Sequence, residues 1–209
     1  MRRLKLKVCG MQDPHNIRAI SALLPDFMGF IFAPSSPRCV TTQLDLSHLP
    51  ASICTVGVFR DQSIEFIKER VQFFGLKAVQ LHGVEDLRYM ELLRAELPDI
   101  LIIKAVQVTG IRDLAELKAA HGTPNIYLLD SASAGSGQSF EWSWLSSYRA
   151  GVPFMLAGGV GAHNIDKALS LAQELPDLFA IDVNSKVESE IGVKDAAKIN
   201  ELLERIAVW

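Results

Sequence analysis

A thiol, a carboxyl, a guanidinium and two glycine-marked loops stand where apolar runs of this chain stop. Cys9-Gly10 ends the first run, Ser36-Pro37-Arg38 follows the second, and Gln80-Leu81-His82-Gly83 ends a later one. Asp130-Ser131, Gly158-Gly159 and Asp182-Val183-Asn184-Ser185 complete the series. Asp130 is the clearest acid: a carboxyl facing an enclosed mouth has its pKa raised by burial and can donate a proton. It could instead form a turn, but the next helix is expected near Glu141, too far to be capped by it. Free cysteines are most often small buried residues. Against that, alternation puts Lys5, Lys7 and Cys9 on one strand face and Leu4, Leu6 and Val8 on the other, so Cys9 points inward. Arg38 is either a solvated surface residue or a bidentate clamp for a carboxylate. Gly158 and Gly159 are either a plain turn or, with Asn184 and Ser185, a place where backbone N–H groups meet a phosphate. His82 reads equally as a site residue or a hydrogen-bonded core histidine. Cys39 and Cys54 fall outside the pattern and are taken as structural.

The elements that must hold these residues alternate along the chain. Apolar stretches at 4–10, 27–32, 54–59, 78–83, 100–108, 125–130, 153–159 and 178–185 read as strands, several so continuously apolar that helices must cover them. Asp13 caps the first intervening helix, with Pro14 at its first position and a stripe of Ile17, Ile20, Leu23 and Leu24. Further one-face stripes are Ile64, Ile67, Val71, Phe74; Ile165, Ala168, Leu169, Ala172; and Ala196, Ile199, Leu203, Ile206. The weakest helix expectation is 41–50, where apolar residues are sparse and Pro50 closes the stretch. Eight strand–helix units in 209 residues fit one (β/α)8 barrel spanning 1–209, with eight parallel strands. The structural rival, an open doubly wound sheet, is disfavoured because the count closes at eight and no G-x-G-x-x-G appears. A Gly/Ser-rich stretch, 131–139, follows strand six.

Composition narrows the function. Apolar residues make up 49% and charged residues 22%, an ordinary globular mixture. A net charge of −3 points away from nucleic acid. No apolar stretch follows the basic start and no run approaches the ~20 residues of a membrane span, so neither secretion nor a membrane is expected. Three widely spaced cysteines suit a reducing cytoplasm and give no metal-ligand spacing.

The residues resemble the phosphoribosylanthranilate isomerase family over nearly the whole chain. The segments that carry the likeness are Lys7-Val8-Cys9-Gly10-Met11, Gly29-Phe30-Ile31-Phe32, Ser36-Pro37-Arg38-Cys39-Val40 and Val56-Gly57-Val58-Phe59. They continue as Val79-Gln80-Leu81-His82-Gly83, Leu128-Leu129-Asp130-Ser131, Gly135-Ser136-Gly137, Phe140-Glu141-Trp142 and Leu156-Ala157-Gly158-Gly159. Asp182-Val183-Asn184-Ser185 and Gly192-Val193-Lys194-Asp195 end the series. The resemblance implies an Amadori rearrangement of N-(5-phosphoribosyl)anthranilate without cofactor or metal. It implies Asp130 as the acid that opens the ribose ring and Cys9 as the base that removes the C2 proton. It implies Arg38 on the anthranilate carboxylate, Gly158, Gly159, Asn184 and Ser185 around the phosphate, and Gln80, His82 and Asp182 lining the site. The expected partner is this small molecule, in a monomer or homodimer.

The chain departs from the family pattern at Lys186, where glycine usually follows the phosphate-loop serine, at Ile191, where proline is frequent, and at Ala134 in the loop after strand six. Lys186 enters a left-handed turn less readily than glycine; it could lend charge to the phosphate or simply be exposed. Rival readings are the histidine-pathway aldose–ketose isomerase, disfavoured by Cys9 and the lack of a half-to-half repeat, and a catalytically silent phosphosugar-binding barrel. Closing a barrel makes strands one and eight neighbours, with Lys7 and Asp182 both facing inward. The expectation is a buried Lys7–Asp182 ion pair beneath the site, where the lysine either favours the Cys9 thiolate or only supports the barrel floor.

Overall fold

A computed structural model describes residues 3–117, 122–131 and 140–208. Eight parallel strands close in chain order: β1 (Lys5–Cys9), β2 (Phe27–Ile31), β3 (Cys54–Phe59), β4 (Ala78–Leu81), β5 (Leu101–Val108), β6 (Ile126–Ser131), β7 (Phe154–Leu156) and β8 (Leu178–Val183). The last pairs with the first in the register Lys7 to Asp182 and Val8 to Val183. The helices are α1 (Pro14–Ser21), α2 (Ile64–Phe74), α3 (Leu87–Glu96), α4 (Ile111–Ala115), α5 (Ile165–Glu174) and α6 (Ala196–Val208).

Alternation along the strands builds two cores. Leu6, Val8, Met28, Phe30, Leu129 and Ile181 face outward onto the helices. Phe27, Val56, Ala78, Ile103, Leu128, Met155 and Ala180 fill the barrel interior. Three of these inward rows continue, two residues on, into a polar group: Ala78 to Gln80, Leu128 to Asp130, Ala180 to Asp182. Geometry with a period of two therefore stacks an apolar plug under a polar mouth.

The helix starts follow their caps. Asp13 accepts a hydrogen bond from Asn16 N at 2.7 Å, Ser63 from Phe66 N at 3.2 Å and Asp86 from Tyr89 N at 2.8 Å. Several expectations need correction. Segment 41–50 is not a helix: Leu44 and Leu46, two residues apart, are both buried, and Asp45 accepts from the backbone and hydroxyl of Ser47. That local turn competes with helical hydrogen bonding. Helix α1 stops at Ser21, and Leu24 takes a φ of 55° and is exposed. On α6 the buried residues are Ile199, Leu202 and Ile206, while Ala196 is exposed and Leu203 half-buried. The helix expected near Glu141 is a short 3-10 turn, Trp142–Ser147. Apart from Ser131, the Gly/Ser-rich stretch with Ala134 and Gly135-Ser136-Gly137 lies outside the described residues.

After β8 the chain makes a 3-10 turn, Ser185–Val187, and an antiparallel hairpin, β9 (Glu188–Glu190) and β10 (Val193–Lys194). The buried Asn16 of α1 ties this hairpin down: its Nδ2 donates to Lys194 O and its Oδ1 accepts from Lys194 N, both at 2.8 Å. Asn16→Ala removes both partners and leaves a buried N–H and C=O unmet, each worth about 1–3 kcal/mol. Urea denaturation of Asn16→Ala is expected to show a loss of about 2 kcal/mol or more with an unchanged m value. An unmoved midpoint would contradict this anchoring role.

Candidate active site

The polar mouth opens into a cavity of about 410 Å³. Cys9, Arg38, Gln80, His82, Asp130, Gly158, Gly159, Asp182, Asn184, Ser185 and Lys186 all line it. Residues from six strand ends and loops, from Cys9 to Lys186, thus meet in one place. Lys7 lies just below the cavity, fully buried.

Cys9 is 4% exposed and packs with Ile31, Ala33 and Val58. Gly29 is its neighbour on β2, and a Cβ there would lie 2.8 Å from Cys9 Sγ. The missing side chain makes room for the sulfur. Below it, Lys7 Nζ meets Asp182 Oδ1 at 2.7 Å. Burial works against the Lys7 cation, but Asp182 and Cys9 outweigh it and raise the lysine above its ordinary value. For the thiol the balance goes the other way. Burial pushes Cys9 up, Lys7 pulls it down, and the Asp182 carboxylate adds to the rise. The net direction is upward, so the lysine favours the thiolate without lowering it below the ordinary range.

Across the mouth, Asp130 is 8% exposed and its Oδ1 accepts from Ser131 N at 2.8 Å. Its Oδ2 lies 3.5 Å from His82 Nε2, and Gln80 Nε2 is 2.9 Å from His82 Nδ1. His82 thus stands between Gln80 and Asp130, one ring nitrogen toward each. Gly158, at φ 82°, packs so closely that a Cβ would come within 3.0 Å of Asp130 Oδ1 and 2.8 Å of Ser131 N. Only glycine fits there.

Arg38 reaches the cavity, and one side of its guanidinium is engaged. Nε and Nη2 donate to the two oxygens of Glu188, each at 2.7 Å. Glu188 also accepts from the fully buried Lys194 Nζ at 2.6 Å, and Lys194 donates to Asn184 Oδ1 at 2.6 Å. Burial raises the Glu188 carboxyl, but the bonds from Arg38 and Lys194 prevail and bring it to about 2. Glu188 and Lys194 were not singled out as site residues from the sequence. Lys194 lies in a segment carrying the family resemblance, and that was the available signal. Lys186 sits in the 3-10 turn after β8 with its side chain exposed, and its φ is not left-handed. The loss of glycine there therefore introduces no backbone strain.

Among the described residues, no group of three His, Cys, Asp or Glu side chains could hold a metal ion, and no helix is long and apolar enough to cross a membrane. The model of the family "N-(5'phosphoribosyl)anthranilate (PRA) isomerase" matches residues 6–205. The chain belongs to this family. Its members are intramolecular aldose–ketose isomerases of the tryptophan pathway. The N-(5'-phosphoribosyl)anthranilate isomerase of Trichormus variabilis is 37% identical over 210 residues, covering 97% of this chain and 98% of the relative. The crystal structure of phosphoribosyl anthranilate isomerase from Thermus thermophilus superposes with a TM-score of 0.83 at 29% identity, covering 98% of this chain and 99% of that one. A further family structure, in complex with reduced 1-(o-carboxyphenylamino)-1-deoxyribulose 5-phosphate, gives 0.79 at 27% identity and covers 99% of this chain and 100% of that one.

The two opposing influences on Cys9 have a measurable consequence. Alkylation of Cys9 by iodoacetamide, followed by peptide mass spectrometry, is expected to rise with pH about a midpoint above the reference thiol value of ~8.5. In Lys7→Met the midpoint should move up by about one unit or more, because the thiolate loses its cation. A midpoint that stays in place would show that the lysine does not act on the thiol.

Proposed function

We propose that the chain converts N-(5-phosphoribosyl)anthranilate to 1-(2-carboxyphenylamino)-1-deoxyribulose 5-phosphate, with Asp130 as general acid and Cys9 as general base. The observation that carries the reading is one cavity with a buried thiol and a buried carboxyl on different walls. Family membership and the product analogue bound by a relative support the substrate class.

In this reading Asp130 gives its proton to the ribose ring oxygen, the C1–O bond breaks, and the anilino nitrogen's lone pair completes a C1=N iminium. The iminium makes the C2–H acidic, so a thiolate is base enough. Its positive charge beside Cys9 also favours the thiolate against the burial that otherwise raises the thiol. Cys9 takes the C2 proton, the electron pair forms the enolamine, and tautomerisation gives the ketone. The resting enzyme returns when the thiol loses its proton and Asp130 regains one, and His82, facing Asp130 Oδ2, is placed to relay it.

Arg38 holds the anthranilate carboxylate. The phosphate lies between Gly158, Gly159 and the turn that holds Asn184, Ser185 and Lys186, after strands seven and eight, where this fold usually cradles phosphate. A cytoplasmic enzyme using no cofactor fits this chemistry, because both proton transfers are made by side chains.

Assayed by loss of anthranilate-conjugate fluorescence, Cys9→Ser and Asp130→Asn should each lower kcat by at least ~100-fold, with product-analogue affinity changed far less. Near-normal turnover in either variant would remove that residue from its role. Turnover of only the histidine-pathway aminoaldose, or tight analogue binding without turnover in the parent, would favour the rival readings. For Lys186→Ala, KM should rise about threefold or more at low salt, with the gap closing at high salt as screening removes the charge effect. Equal KM and equal salt dependence would leave Lys186 without a phosphate role.

A further inference from the structure

The arrangement of Arg38, Glu188 and Lys194 goes beyond what a carboxylate clamp requires. A guanidinium has five N–H groups in a plane. Glu188 occupies the side formed by Nε and Nη2, at 2.7 Å on each oxygen. The end formed by Nη1 and the second Nη2 hydrogen is left for another planar anion. All three side chains are shielded: Arg38 is 11% exposed, Glu188 7% and Lys194 0%. A buried Arg38–Glu188 pair alone would be neutral and attract an anion weakly. Lys194 restores the balance, since two cations around one anion leave one positive charge in a site of low dielectric. Glu188 is itself held from a third side by Gly192 N, at 3.0 Å on Oε1. Lys194 is held by Asn184 Oδ1 and, through its backbone, by Asn16.

We propose that Glu188 is a positioning residue for substrate recognition: locked by Lys194 and Gly192, it turns Arg38 so that the end of the guanidinium meets the aryl carboxylate. Lys194 keeps the cluster net positive and, through Asn184, links the carboxylate end of the site to the phosphate end. The proposal rests on the reading of Arg38 as the carboxylate clamp. It adds that the clamp is set before substrate arrives, so binding does not have to order a long side chain. Glu188 touches no substrate atom in this account and acts through Arg38 alone.

The test uses two reduced product analogues, one with and one without the ring carboxylate, and measures Kd for the parent, Arg38→Ala, Glu188→Gln, Glu188→Asp and the Arg38→Ala/Glu188→Gln double variant. Gln keeps the shape of Glu188 but presents only one acceptor to the guanidinium. Glu188→Gln should weaken the carboxylate analogue about tenfold, the scale of one charge-assisted hydrogen bond. The analogue lacking the carboxylate should bind as tightly as to the parent, which also verifies the fold. Glu188→Asp, with charge retained on a shorter arm, should fall between. The double variant should be no weaker than Arg38→Ala alone, because the two residues act as one unit. Equal loss for both analogues in Glu188→Gln and Glu188→Asp would make Glu188 a general structural support and overturn the proposal. Tighter carboxylate binding in Glu188→Gln would mean that Glu188 competes with substrate, and would overturn it too. If Arg38→Ala weakens both analogues equally, the clamp reading fails and the proposal falls with it. A loss confined to the carboxylate analogue in Arg38→Ala, with no such loss in the Glu188 variants, overturns the proposal alone.

Discussion

A lysine ammonium with no exposure to water, paired at 2.7 Å with Asp182, underlies the whole mouth of this barrel. The pair bridges β1 and β8, the seam at which the sheet closes. Taking two such charges out of water is expensive, and their attraction offsets this only when the geometry is good. Removing one partner strands the other and is typically destabilising by about 3–5 kcal/mol. Barrel closure and the electrostatics of the thiol above it therefore depend on the same contact. The ammonium faces two acidic groups, the Asp182 carboxyl and the Cys9 thiol. Bound mainly to the first, it moderates the second.

A second charged assembly governs the rim, with its own logic. Beneath the thiol, one cation and one carboxylate leave little net charge. Around Glu188, two cations leave a surplus suited to an anion. The second group packs against Gly10, where an added Cβ would touch Arg38 Cδ and Asn184 Oδ1 at 2.8 Å each. Burial suppresses charge on a lone group and preserves it on a well-partnered one. That contrast is visible in the raised Cys9 and the lowered Glu188.

The barrel was legible because eight apolar runs alternate with helix-period segments along the chain. Once Lys7 and Cys9 share a face and strand eight adjoins strand one, the Lys7–Asp182 pair follows from counting, and it is present. The site's walls were legible for the same reason, since polar residues fall at one end of each apolar run. The stretch at 41–50 was not, because Leu44 and Leu46 are buried from irregular chain with neither period. Glu188 and Lys194 were missed because they come from a hairpin inserted after β8, outside the strand–helix repeat, and are joined to Arg38 only by the fold. The direction of the thiol's shift was also out of reach: it depends on how far burial outweighs a neighbouring cation, and sequence spacing carries no measure of depth.

The proposed reaction requires one orientation of the substrate, with the aryl carboxylate on Arg38, the phosphate beyond Gly159, and C2 held between thiol and carboxyl. A crystal structure of this chain with reduced 1-(o-carboxyphenylamino)-1-deoxyribulose 5-phosphate tests it most directly. The expected result is the carboxylate against the end of the Arg38 guanidinium with the Glu188 bonds intact. It places the phosphate between Gly158-Gly159 and Asn184-Ser185-Lys186, and Cys9 Sγ within about 4 Å of C2, close to near-attack distance. A ligand bound in reverse, with its phosphate on Arg38 and C2 remote from Cys9, would contradict it.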